Sequence, residues 1–271
     1  MKWQLWSRQI AAILRFEYKK YWRGRRWFAI YLVALAPSVL LLAAILLGAY
    51  PPPSRRPGIF IPTAIYATFF QLFALRFAIF FSCAAMFSQL FRGEVLEKTL
   101  HYYLLAPVRR EVVVIGKYLA GLTWTFTVFS LTTVSSYLLF FGPSPQFGLF
   151  FFRFGIAHLT QYLAIVLLAC VAYGALFLLV GLIFKNPMIP AVFVVTWESF
   201  NFAMPKLFQK LSVIYYLQPL FPVPVPRSPL AIITDPASTW IAVPSLLLAA
   251  LAFLIAAGYC LRRTQVTYST D

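Results

Sequence analysis

The chain has 271 residues, 62% of them hydrophobic and 18% aromatic, and only 11% carry charge. Soluble domains run roughly 45–50% apolar and about 25% charged, so composition excludes an ordinary soluble protein and leaves no room for a sizeable soluble module. The net charge of +16 raises nucleic acid as a partner, a question that the placement of the charges decides.

Residues 2–23 read as an amphipathic helix. Trp3, Trp6, Ile10, Ile13, Leu14 and Tyr21 recur at spacings of three and four, with Arg8, Arg15, Lys19 and Arg23 toward the other side. Basic residues opposite tryptophan fit a helix lying in the membrane interface. The first long apolar run follows at Trp27 and outlasts a signal-peptide core, so it reads as an uncleaved first span.

A crossing helix needs about 20 apolar residues. Six segments meet or approach that length: Trp27–Tyr50, Ile65–Phe91, Val112–Phe141, Phe154–Phe184, Met188–Met204 and Thr239–Leu261. The fifth is short and carries Glu198 and Asn201. The connections PPPSRRPG, GPSPQFG and KNPMIP have turn composition. The proline-rich stretch 205–236 reads as a re-entrant outer segment with one or two short helices. The fold class expected is therefore all-α integral membrane, a single transmembrane domain over residues 1–271.

With both termini inside, 16 of the 23 basic residues fall on the cytoplasmic side, 6 outside, and Arg76 within a span. That distribution follows the positive-inside rule for a multi-pass protein of the cell (inner) membrane. It accounts for the basic charge without nucleic acid. Cys83, Cys170 and Cys260 each sit in an apolar run and are odd in number. They read as buried small hydrophobes rather than disulfides or a zinc site.

The segment RGEVLEKTLHYYLLAPVRREVVVIGK, Arg92–Lys117, breaks the apolar pattern. It holds Glu94, Glu97 and Glu111 out of only 7 acidic residues. Glu94, Glu97, Lys98 and His101 make one polar stripe at helical spacing, and Leu96, Leu100 and Leu104 fill the other side. Pro107 ends the helix, and Arg109, Arg110 and Glu111 cap the turn into the third span. A helix over 93–107 is too short and too charged to cross. It reads as a docking helix that presents carboxylates to a cytoplasmic partner, or, more plainly, as a loop lying on the bilayer.

The order Glu94, Thr99, Leu100, Leu104, Leu105, Pro107, Arg110, Glu111, Gly116, Lys117 resembles the ABC-2 type permeases, the membrane subunits of ABC exporters. The sequence match is specific over about 26 residues, and the architecture matches nearly throughout. Lys98 stands where members often have glycine before the threonine. The resemblance implies that 93–107 is a coupling helix seated on an ATPase, with Glu94, Glu97, Thr99, Leu100, Leu104, Pro107, Arg109, Arg110, Glu111, Gly116 and Lys117 serving that coupling. It further implies two copies of a cytoplasmic ATPase, and a second permease chain, identical or not. ATP and Mg would be held by the ATPase, with no cofactor on this chain.

No GxxxxGK[ST] stretch occurs in the sequence, so ATP hydrolysis is expected in a separate subunit. An enzyme reading is poorly served: His101 and His158 are isolated, Asp235 and Asp271 are the only aspartates, no metal site is suggested, and there is no GxSxG elbow. A passive channel or scaffold remains the alternative, opposed only by the docking segment. Within the membrane, Arg76, Glu198 and Asn201 are candidate pathway residues, because buried charges usually pair or line a cavity. Arg76 and Glu198 come within about one helical turn of each other in estimated depth. The phenylalanines of the second span, Phe69 to Phe87, read as packing or as an apolar wall for a hydrophobic substrate.

Overall fold

The structure is a computed structural model and describes residues 2–23, 28–47, 60–96, 109–143, 147–201, 204–223 and 238–263. Among these residues every regular element is helical. Helix α1 is Lys2–Arg23, as expected, and α2 is Phe28–Leu46. Helix α3 covers residues 60–96 and joins an α-helix, Phe60–Phe69, to a π-helical stretch, Phe70–Ile79, and a second α-helix, Phe80–Leu96. Helix α4 is Arg110–Phe141. Helix α5 covers residues 147–183, with a π-turn at Phe151–Gly155 leading into Ile156–Ile183. Helix α6 is Met188–Ser199, followed by the short α7, Lys206–Gln209, and α8, Val213–Leu217. Helix α9 is Thr239–Arg263.

By length and apolar composition, four stretches can cross a membrane: Pro62–Glu94, Arg110–Phe141, Phe151–Ile183 and Thr239–Arg263. Ile30–Leu46 and Met188–Ser199 are apolar but shorter. The fifth expected span thus stops at Ser199 rather than Met204. At about 1.5 Å per residue, its 12 residues reach only about 18 Å, short of a hydrocarbon core of about 30 Å. Local chemistry ends it. The chain turns at Asn201, whose carbonyl accepts the Met204 amide, and Pro205 disfavours a helical residue before it.

The second span differs in the opposite sense. The expected break near Phe91 is absent, and α3 runs unbroken through Glu94 to Leu96. The described beginning of the expected docking helix is therefore the last turns of the second span. Residues 97–108, with Glu97, Thr99, Leu100, Leu104 and Pro107, lie outside the described residues. So do the PPPSRRPG linker and residues 224–236 of the outer segment. The described part of that segment supplies two short helices, α7 and α8, where one or two were expected, and α8 packs on α5 and α9.

Helix α5 is the hub, packed against α3, α4 and α9. Small residues let these helices approach closely, as is usual where lipid offers no hydrophobic drive for helix association. A side chain at Gly181 would place its Cβ 2.5 Å from the Ser88 carbonyl oxygen, so α5 and α3 cross backbone against backbone there. The Phe87 ring fills a slot bounded by Gly121 and Gly174, where a Cβ would lie 2.8 and 2.7 Å from it. The phenylalanines of α3 divide accordingly: Phe70, Phe80 and Phe87 are core, while Phe73 and Phe77 are exposed. Cys83 and Cys170 are free and buried, as expected, and Cys260 is partly buried.

Several threonine and serine hydroxyls in α4 are satisfied within the helix, which lets a polar sequence sit in an apolar bundle. Thr125 donates to the Gly121 carbonyl and Thr132 to that of Val128. Ser38 of α2, one residue after Pro37, donates to the Thr132 carbonyl at 3.1 Å and meets the Ser135 hydroxyl at 2.8 Å. These bonds tie α2 to α4.

Candidate functional site

Two polar sites interrupt the apolar bundle. The first lies at its basic end, where α1, the end of α3 and the start of α4 converge. The Lys117 ammonium is fully buried in α4 and uses all three of its donors. Its Nζ donates to Glu17 Oε1 at 2.7 Å, Glu94 Oε1 at 2.5 Å and the Leu90 carbonyl at 3.2 Å. The Phe91 ring lies beneath it, with the centroid at 5.4 Å. Lys20 adds a second cation 3.8 Å from Glu94, so the two carboxylates are matched in charge. A buried ion is tolerated only with such compensation, because desolvation costs several kcal/mol per ion.

This geometry corrects the reading of Glu94. Its carboxylate is 1% exposed and faces the protein, so it is not offered to a docking partner. Lys117 likewise faces inward, and Gly116 gives α1 room, since a Cβ there would lie 3.0 Å from Ile13. Helix α1 is accordingly seated on α4, with Glu17 and Tyr21 buried, rather than touching only the lipid interface.

About two turns toward the α4 N-terminus, Arg110 and Glu111 face α9. Arg110 donates to the carbonyls of Leu261 at 2.9 Å and Arg262 at 2.8 Å, satisfying the exposed end of that helix. Glu111 pairs with Arg262, a contact at the surface. Arg109 is exposed and stacks on Trp6 of α1, 5.4 Å from its ring centroid. Three helices are thus held by side chains within nine residues of one another on α4.

The second site lies between α3, α5 and α6. Glu198 is buried and fixed by two donors: the Tyr173 hydroxyl at 2.5 Å and the Val213 amide at 3.2 Å. The second bond fastens α8 to the end of α6. Arg76 lies on the π-helical stretch within electrostatic reach of Glu198 and Tyr173. No ion-pair contact within 4 Å joins Arg76 to Glu198 among the described residues; the carboxylate oxygens accept from Tyr173 and the Val213 amide. Around this stretch, both amide atoms of Gln71, the Arg76 Nε and the Ser82 hydroxyl are buried with no hydrogen-bond partner among the described residues, as is the Asn201 side-chain oxygen. Buried polar atoms are nearly always satisfied, so this region suits water or a polar ligand group. A π-helical stretch widens the backbone and is often found at functional sites.

A family model described as ABC-2 family transporter protein matches residues 13–201. The chain belongs to that family. The match spans α1 from Ile13 through α6 and includes Glu17, Glu94 and Lys117 of the first site and Arg76, Tyr173, Glu198 and Asn201 of the second. Proteins of this family are membrane components of transporters, generally without enzymatic activity, and normally partner with an ATPase subunit. No curated protein and no solved structure matches the chain. As a multi-pass ABC-2 family protein, it has helices of the length and apolarity its class requires.

Glu17 and Tyr173 were not among the sequence candidates. Glu17 had a signal: it is the one acidic residue in the basic helix, on the face of Ile10, Ile13, Leu14 and Tyr21. Tyr173 had none, being one of 15 tyrosines in an apolar run.

Proposed function

We propose that this chain is the membrane-spanning subunit of an ATP-driven exporter. It forms the substrate pathway as a dimer with a second permease chain and is moved by two copies of a separate cytoplasmic ATPase. The whole chain acts as one transmembrane domain in the inner membrane, both termini cytoplasmic, with α2 and the stretch from α6 into the outer segment completing six crossings. Residues 205–236 form the re-entrant outer segment. Arg76, Glu198 and Asn201 line the pathway. ATP and Mg belong to the ATPase.

The observation that supports this reading best is the clamp at Lys117. It binds α1, the end of α3 and the start of α4 into one unit, and residues 97–108 connect the last two. A force applied to that connection would be delivered to α3 and α4 together, and through Arg110 to α9, rather than lost in a loose loop. Glu97, Thr99, Leu100, Leu104, Pro107 and Arg109 would make the contact. Glu94, Gly116 and Lys117 would hold the base of the coupling helix, joined by Arg110 and Glu111.

The test is co-purification from native membranes. A P-loop ATPase should accompany the wild type, and Glu97→Lys with Arg109→Glu should remove it while the protein stays monodisperse. Absence of any ATPase from the wild type, or undiminished association of the double variant, would overturn the reading. Glu94 is the wrong probe, because its replacement disturbs the buried cluster.

A further inference from the structure

Between α4 and α9 a groove of about 350 Å³ opens on the outside of the bundle. Its walls are apolar, formed by Val114, Ile115, Leu251, Ile255, Gly258 and Tyr259, and its floor at the basic end is the Glu111–Arg262 pair. Ile115, Leu251, Ile255 and Tyr259 are all exposed, so no described element of this chain covers it. Gly258 keeps it open. A Cβ there would meet only the Glu111 side chain, at 3.9 Å, so the missing side chain is space rather than a packing need.

The rim carries an excess of cations. Arg109, Arg110 and Arg262 gather around Glu111, the one carboxylate there among the described residues, and Arg263 follows at the end of α9. Glu111 neutralises Arg262, and Arg110 is committed to backbone carbonyls. Arg263 is exposed and has no carboxylate partner among the described residues. Its guanidinium sits 4.4 Å from the centroid of Tyr259, a groove wall. Stacking fixes the cation at the groove mouth and leaves its N–H edges free to donate to phosphate oxygens.

We propose that this groove binds an anionic phospholipid of the surrounding bilayer, with an acyl chain along α4 and α9 and its phosphate on Arg263. Charge selects the occupant: the apolar slot lies on a lipid-facing surface and ends at the depth of α9 where arginines collect. A zwitterionic lipid would fill the slot equally well but gain less from an unpaired guanidinium, since its own cation offsets the phosphate. The inference stands apart from ATPase docking, and failure of the co-purification would leave it intact.

The experiment is native mass spectrometry of the full chain in detergent, titrated with phosphatidylglycerol or phosphatidylcholine of identical acyl chains. The wild type should bind phosphatidylglycerol more tightly. Arg263→Gln should weaken that binding about fivefold and leave phosphatidylcholine unchanged, the effect expected of one basic residue near a headgroup. Gly258→Leu should fill the groove and weaken both lipids. Ile255→Trp, on an exposed wall, gives the same reading if the glycine variant fails to fold. Equal affinity of the wild type for the two lipids, or phosphatidylglycerol binding unmoved by Arg263→Gln, would overturn the proposal. So would groove-filling variants that bind both lipids as the wild type does.

Discussion

Lys117 and Glu17, separated by 100 positions in the chain, are buried partners whose charged atoms lie 2.7 Å apart. Their contact makes the amphipathic N-terminal helix part of the bundle. Without it, α1 would be held on α4 by apolar packing, with a carboxylate left in a dry interface.

Removing the cation should therefore be severe. Lys117→Met leaves Glu17 and Glu94 buried together without their shared donor. Breaking a buried ion pair from one side costs about 3–5 kcal/mol. The melting temperature in detergent should fall sharply. Adding Glu17→Gln and Glu94→Gln should recover most of the loss, because the triple variant buries no uncompensated charge. A single Lys117→Met that melts like the wild type would contradict the clamp.

The outer contact predicts the contrary. Glu111 and Arg262 pair at the surface, where such pairs are worth about 0–1 kcal/mol. Glu111→Gln should shift the melting temperature little, and added salt should shrink even that difference. Measured beside Lys117→Met, it separates the structural charge cluster from the superficial one.

In the membrane interior, Tyr173→Phe removes a donor from buried Glu198, and leaving such an acceptor short costs about 1–3 kcal/mol. Glu198→Gln can accept the Val213 amide through its carbonyl oxygen and turn its NH2 to the Tyr173 hydroxyl oxygen, so it should fold well. If Arg76 and Glu198 act together in transport, the exchange Arg76→Glu with Glu198→Arg should recover transport that each single change abolishes. Transport by reconstituted vesicles decides it, and an exchange no better than either single variant argues for separate roles.

The close crossing of α3 and α5 gives a steric prediction. Gly181→Ala brings a methyl group within 2.5–2.9 Å of the Ser88 backbone, and backbone cannot turn aside. Overpacking of this kind costs about 1–3 kcal/mol. Gly93→Ala meets nothing within 4 Å and should be silent. Thermal unfolding of the two variants, purified side by side, tests the contrast.

The sequence alone determined that the chain is helical and membrane-embedded, where most helices lie, and which stretch resembles the family to which the chain belongs. Each of these rests on local patterns: apolar length, the spacing of Trp and Arg along α1, and a short ordered motif. It also picked out Arg76 and Glu198 as unusual, because a charge in apolar sequence is visible without neighbours, whereas Lys117 entered only through the motif. Only the tertiary structure decided what those charges do. Glu94 reads as a surface carboxylate from its polar stripe, yet α3 continues unbroken and brings it to a cation on α4, while α1 delivers Glu17 to the same point. Glu198 likewise turns to Tyr173 and the Val213 amide rather than forming an ion pair with Arg76. Charge, length and periodicity are properties of a segment, whereas the partner that satisfies a buried ion is chosen by how separate helices cross.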